Sequence, residues 1–206
     1  MFRLGAPSYL IPDDILPNVD YLIQLGLEVS DVQLLLFESD EHGTNLPTPD
    51  VVRELRKRAR SGGLTYTVHL PLDLSFGPHI SEHEKALQVL RRAIERTLDL
   101  EPLGYTLHLD GRRLSPPWGK SDGNPLNLTE WQSQVETLLE HLTGWIGSAE
   151  RLCVENLEGW DPAAFDIPVR RTGVSRTVDI GHLWVTGTDP LPALEAWHPT
   201  TRLVHL

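Results

Sequence analysis

Seven short apolar runs, each rich in β-branched or aromatic residues, recur along the chain at residues 2–9, 32–38, 64–70, 105–109, 151–157, 176–180 and 202–206. Near-continuous apolarity of this kind suits strands buried on both faces, as in parallel sheets. Helix-period stretches fill the gaps. Thr48-Pro49-Asp50 opens a helix that Ser61-Gly62-Gly63 closes, by the asymmetry that puts proline at helix starts and glycine at helix ends. Ser81-Glu82-His83-Glu84 has the form of a capping box and leads into Ala86, Leu87, Leu90, Ala93, Ile94 and Leu98 at helical spacing. Thr129-Glu130-Trp131-Gln132 repeats that form ahead of Val135, Leu138, Leu139, Leu142 and Trp145. The stretches 161–173 and 189–198 leave room only for short helices. Strand–helix alternation without a composition break predicts either a doubly wound sheet or a β/α barrel. No GxGxxG or GxxxxGK[ST] follows the first run, which removes the usual nucleotide-binding signatures of the open sheet.

Composition narrows the function classes. The 206 residues carry 18 Lys and Arg against 29 Asp and Glu, a formal net charge of −11, with 40% hydrophobic and 23% charged content. This is ordinary globular usage and predicts one domain that needs no staple. The single cysteine, Cys153, excludes an internal disulfide framework and any multi-cysteine zinc site, and it fits a reducing compartment. The first residues lack a basic segment followed by an apolar one, and the apolar runs are too short to span a bilayer. The expectation is a cytoplasmic protein with no membrane partner. Proteins that grip nucleic acid neutralise phosphates with a basic stripe; here the basic residues cluster only at 53–60 and 91–96, in helical patterns. No nucleic-acid partner is expected.

The polar residues that end the runs favour the barrel. They are Glu38 in Leu-Phe-Glu, His69 in Val-His-Leu-Pro, His108 in Leu-His-Leu-Asp, Glu155 in Cys-Val-Glu-Asn, Asp179 and His182 in Val-Asp-Ile-Gly-His, and His205 in Leu-Val-His. In a barrel all strand C-termini converge on one mouth, where active sites are built. A lone histidine at a strand end is more often a satisfied polar residue than a ligand; repetition on successive strands changes that weighing. Several imidazoles with two carboxylates suit a divalent transition metal, and without one the carboxylates would repel.

The pattern His69…His108…Glu155…Asp179-x-x-His182…His205 resembles the xylose-isomerase-like barrel superfamily, which includes the apurinic endonuclease IV type enzymes and sugar isomerases and epimerases. The resemblance covers essentially the whole chain. Within the superfamily the likeness is closest to the cobamide-remodelling phosphodiesterases, through Leu-Gly-Ala-Pro-Ser-Tyr-Leu-Ile-Pro, Leu-Phe-Glu-Ser-Asp and Tyr-Thr-Val-His-Leu-Pro-Leu-Asp. The resemblance implies that His69 and His108 ligate one ion, that Glu155 bridges it to a second held by Asp179 and His205, and that His182 faces a third ion or the substrate. Two or three divalent ions are implied, zinc first, with manganese, iron or cobalt also accepted, and Glu155, Asp179 and His182 as the catalytic groups. The pattern also implies ligands after the seventh strand and a glutamate on an eighth. The chain ends before both, so the expectation is a single TIM-type α/β barrel over 1–206, incomplete at seven strands, from a longer natural product.

Isomerases of this superfamily tend to carry an acid/base glutamate near the fourth strand end, where this chain has His108. Histidines at both positions leave room for a multinuclear site, which suits hydrolysis of a phosphate ester by a water of lowered pKa. The net charge favours a small phosphodiester over DNA. The loop 110–127 carries Arg112, Arg113, Trp118 and Lys120; arginine could grip a phosphate and tryptophan cover a planar group, or the loop could simply be solvated. Trp160 and Trp184 also lie beyond strand ends, whereas Trp131, Trp145 and Trp197 fall in helix patterns and read as core. Glu38, Asp73 and Asp110 read equally as substrate contacts or as partners of ligand histidines. The expectation is a metal-dependent phosphodiesterase acting, as the resemblance implies, on the nucleotide loop of a cobamide. One alternative is a divalent-metal sugar isomerase or epimerase with Glu155 as acid/base carboxylate and His182 as substrate contact. Another is a non-catalytic barrel that binds a sugar or corrinoid.

Overall fold

The computed structural model describes residues 2–26, 28–39, 43–72, 74, 80–111, 114–119 and 126–206, the side chains of 80–83 excepted. The fold class is α/β, with seven parallel strands alternating with helices in the manner of a TIM-type barrel, and the strands follow chain order across the sheet. Two compact units make up the chain, Met1–Tyr105 and Thr106–Leu206. No helix among the described residues is long and apolar enough to cross a membrane.

In the first unit, β1 (Gly5–Pro7), β2 (Asp31–Leu35) and β3 (Thr65–His69) run parallel, with Gly5 opposite Asp31 and Leu35 opposite His69. The helices are α1 (Ile15–Gln24), α2 (Pro49–Gly62) and α3 (Ile80–Thr97). Helix α2 starts and stops where its sequence predicts. The Thr48 side chain accepts from Val51 N, Pro49 takes the first turn, and Gly63 closes the helix at φ 68°, a left-handed cap that glycine adopts without penalty. Val32, Leu34, Leu55, Val68, Leu90 and Ile94 fill the core. The first strand is shorter than its apolar run. The buried Asn18 side chain accepts from Leu10 N at 2.7 Å and Ile11 N at 3.0 Å and donates to Asp13 O at 2.9 Å, turning the backbone out of the ladder into a pinned loop.

In the second unit, β4 (Tyr105–Leu107, beginning one residue earlier), β5 (Leu152–Glu155), β6 (Ser175–Asp179) and β7 (Thr201–His205) lie side by side. Glu155 stands opposite Thr177 and Asp179 opposite His205. The helices are α4 (Leu128–Ile146), α5 (Asp166–Thr172), α6 (Ile180–Val185) and α7 (Pro190–Trp197). Helix α4 begins two residues before the Thr129 pattern suggests. Asn127 is the N-cap, accepting from Glu130 N at 2.8 Å while its amide donates to Glu130 Oε2 at 3.1 Å, so the reciprocal cap forms on asparagine and Thr129 sits inside the first turn. Strand alternation sends Val178 and the buried Arg176 toward the helices, where Arg176 pairs with Asp166 at 2.6 Å and lies over the Trp197 ring. The opposite face carries Thr177, whose hydroxyl meets that of Thr106 at 2.9 Å.

Candidate metal centre

The alternation that turns Thr106 and Thr177 to one face also places His108 and Asp179 there, two residues further along their own strands, with Glu155 level with Thr177. Cys153 lies a layer below Glu155 and is fully buried. His205 ends β7, and His182 sits in the first turn of α6, a helix that sequence reasoning does not separate from the preceding strand. The Asp-x-x-His spacing explains both facts. Asp179 is the N-cap of α6, its Oδ1 accepting from His182 N at 2.7 Å, so one motif both starts a helix and brings two donors together.

Glu155 is the centre of the group. Only 1% exposed, its carboxylate accepts from His108 Nε2 at 2.8 Å on one oxygen and from His205 Nδ1 at 2.7 Å on the other. Asp179 Oδ2 lies 3.7 Å from His205 Nδ1 and 3.9 Å from His182 Nε2. His182 Nδ1 donates to Asn156 O at 2.8 Å, because a carbonyl can only accept, and the neutral ring therefore carries its lone pair on Nε2. The Asn156 side chain fixes the main chain of Asp179 from both sides, accepting from its N–H at 2.9 Å and donating to its carbonyl at 2.9 Å. Sequence reasoning passes over Asn156; its only signal is its place directly after Glu155.

This donor set fits a divalent ion. Ligand atoms of Glu155, Asp179 and His182 lie within 4.8 Å of one another. Two atoms each ~2.1 Å from one ion lie at most about 4.2 Å apart, and the 3.7 Å and 3.9 Å contacts fall inside that limit. Two carboxylates among three imidazoles form a site in which bound protons can be exchanged for a cation. Burial opposes the His205 imidazolium, but the Glu155 hydrogen bond and charge, with Asp179, outweigh it and raise His205 above its ordinary value near 6.5. A raised folded-state value contributes stability that is complete below the ordinary value and lost as pH rises through the folded one. The melting temperature of chelator-treated protein should therefore fall across that window, and His205→Gln should flatten the dependence.

The remaining expected residues divide. His69 ends β3 in the first unit, buried, with Nδ1 donating to Leu70 O at 2.9 Å; its neutral ring thus also carries the lone pair on Nε2, the form that ligates metal. The Glu38 carboxylate is engaged by the Arg92 guanidinium of α3, Nε at 3.1 Å, which makes it part of an ion pair. Asp73, Arg112, Arg113 and Lys120 lie outside the described residues. Trp184 is 67% exposed on α6. Trp118 and Trp160 line a cleft of about 820 Å³ that reaches His182. Trp197, expected in the core, is half-buried and lines it too, because α7 is short and its last turn ends at the cleft.

Trp160 is held by shape. It packs edge-on to Phe165 at 4.4 Å and to Trp131 at 5.9 Å, and a Cβ on Gly111 would fall 2.5 Å from its ring. Gly111→Ala should therefore cost about 1–3 kcal/mol, as overpacking does, read as a lower melting temperature with a changed near-UV tryptophan signal.

No protein-family model and no curated protein matches the chain. Solved structures do. A D-tagatose 3-epimerase-like protein matches with TM-score 0.75 at 17% identity, covering 100% of this chain and 76% of that one. Endonuclease IV from Thermus thermophilus matches with TM-score 0.66 at 19% identity over 98% and 74% of the two chains. The TTHB071 protein from the same organism, soaked with ZnCl2, matches with TM-score 0.60 at 18% identity over 94% and 72%. These neighbours are xylose-isomerase-like TIM-barrel proteins, and at such identities the likeness is one of fold.

Proposed function

We propose that this chain is a metal-dependent hydrolase of phosphoric ester bonds that acts on a small phosphodiester. Its own residues have separable tasks. Glu155 holds the rings of His108 and His205 against its two oxygens, and Asp179, His182 and His205 supply donors around it. Asn156 fixes His182 in the tautomer whose Nε2 can bind. A divalent ion, zinc first, would supply positive charge to the phosphoryl oxygens and a water of lowered pKa. The observation that carries this reading is the buried Glu155 carboxylate shared by two imidazoles from different strands, with a histidine where an isomerase would place an acid/base glutamate. The motif resemblance supports the nucleotide loop of a cobamide as substrate, and the acidic charge of the chain supports a small molecule over nucleic acid.

Metal analysis and a paired assay test it. Protein stripped with chelator should hydrolyse neither bis(4-nitrophenyl) phosphate nor a cobamide, and should regain hydrolysis of both on return of zinc, with at least one ion bound per chain. Fewer than one ion per chain would sink the hydrolase. Epimerisation of a ketose without phosphodiester cleavage would put the sugar epimerase, an activity named among the structural neighbours, in its place.

A further inference from the structure

We infer that Glu158 is a ligand of the ion at His182, so that Glu158, Asp179 and His182 form a three-donor cation seat beside the Glu155 carboxylate. The assignment rests on the metal-dependent reading, to which it adds a residue that neither the strand ends nor the motif resemblance marks. Glu158 lies three residues beyond Glu155, in the loop after β5, and its Oε1 stands 3.8 Å from His182 Nε2. Asp179 Oδ2 faces the same nitrogen at 3.9 Å. With Nδ1 donating to Asn156 O, the neutral ring carries its lone pair on Nε2. Two carboxylate oxygens around a lone pair repel unless a cation lies among them. A proton is too small for the gap. On Nε2 it would draw a carboxylate oxygen to about 2.8 Å, and both contacts are longer than a hydrogen bond. Two ligands each ~2.1 Å from one ion lie about 3.4 Å apart at the tetrahedral angle, so each contact needs to close by about half an ångström or less.

One loop serves the ring at both nitrogens. The Asn156 carbonyl accepts from Nδ1, the Asn156 side chain fixes the main chain of Asp179, and Glu158, two residues on, reaches the Nε2 side. Gly159 follows at φ 89°, a left-handed conformation that glycine adopts freely, and turns the chain directly after Glu158. Glu155 engages both its oxygens with His108 and His205, and Glu158 supplies the His182 ion with a carboxylate that carries no such pair of rings. Glu158 and His182 both line the cleft, so the seat opens on it. Three protein ligands with one open side is the arrangement of a catalytic rather than a structural zinc.

Cobalt(II) reads this seat without turnover. Chelator-treated parent, Glu158→Gln, Glu158→Asp and His182→Ala are titrated with cobalt chloride, following calorimetry and the visible absorption of the bound ion. The Glu158 side chain is 46% exposed, so its variants should melt with the parent in chelator. The expected result is one binding event that His182→Ala abolishes and that both Glu158 variants weaken at least tenfold, with an altered absorption spectrum. Aspartate separates ligation from attraction at a distance. It keeps the charge but falls one methylene short, whereas a through-space effect would leave Glu158→Asp at parental affinity and would fade in high salt. Parental affinity and spectrum in either Glu158 variant overturns the inference, as does a parent that binds no cobalt or a binding event that His182→Ala leaves intact. Loss of the Glu158 assignment alongside zinc-dependent phosphodiester hydrolysis would leave the hydrolase reading standing; Glu158-dependent cobalt binding in a protein that hydrolyses no phosphodiester would refute the hydrolase and keep the ligand.

Discussion

Glu155→Gln should lower zinc affinity about ten- to a hundredfold and phosphodiester hydrolysis about a hundred- to a thousandfold, since removal of an ordered partner of a metal ligand costs ~10–100-fold in affinity and loss of one preorganised electrostatic contact costs ~10²–10³ in rate. The substitution keeps the shape and removes the symmetry. Both Glu155 oxygens accept an imidazole N–H, from His108 at 2.8 Å and from His205 at 2.7 Å. Glutamine has one oxygen, so one ring must face an amide donor with its own N–H. That ring must change tautomer or turn away, and either change misaims a nitrogen. Stability falls as well: Glu155 is 1% exposed, and removing one partner of a buried pair leaves the other uncompensated, so the metal-free variant should melt below the parent. Zinc content, titration calorimetry and steady-state rates on one preparation give the three readouts. Parental zinc affinity and rate in Glu155→Gln would place the chemistry elsewhere on the chain.

The legibility of this site in the sequence follows its physics. Strand ends are visible because buried parallel strands leave few places for a charged group except their termini, so Glu155, Asp179 and His205 stand out against apolar runs. Strand alternation then places their side chains with no further information. Two kinds of residue escape such a reading. Asn156 works through its side-chain amide on the neighbouring strand's backbone and through its main-chain carbonyl on the His182 ring, and such contacts have no periodicity to betray them. Trp197 reads as a core residue because helix spacing reports only which face turns inward, and the cleft lies where the helix stops. Glu38 ends an apolar run as the others do, and nothing near it in the chain announces that Arg92, 54 residues on, engages its carboxylate. The α4 cap shows the limit on boundaries, since Asn127 and Thr129 are both competent caps and only the chain's path selects Asn127.

Asn156 is the residue on which the second large effect falls. It is 5% exposed, its side chain makes two hydrogen bonds of 2.9 Å to the main chain of Asp179, and its carbonyl holds His182 Nδ1 at 2.8 Å. Asn156→Ala keeps the carbonyl and deletes both side-chain bonds. The Asp179 N–H and C=O lose buried partners, a loss of about 1–3 kcal/mol, and the Asp179 carboxylate, freed at its base, should bind zinc ~10–100-fold more weakly. Asn156→Asp is the sharper test. It restores the acceptor for Asp179 N, but sets a carboxylate oxygen against the Asp179 carbonyl and adds a third negative charge beside Glu155 and Asp179. Like charges and facing acceptors both raise the cost, so chelator-treated protein should melt in the order parent, Asn156→Ala, Asn156→Asp, from highest to lowest. Zinc partly offsets the added charge, so saturating zinc should narrow the gap between Asn156→Asp and parent more than that between Asn156→Ala and parent. Thermal melts with and without zinc decide it: an Asn156→Asp protein as stable as the parent in chelator would mean that these bonds do not hold Asp179 in place.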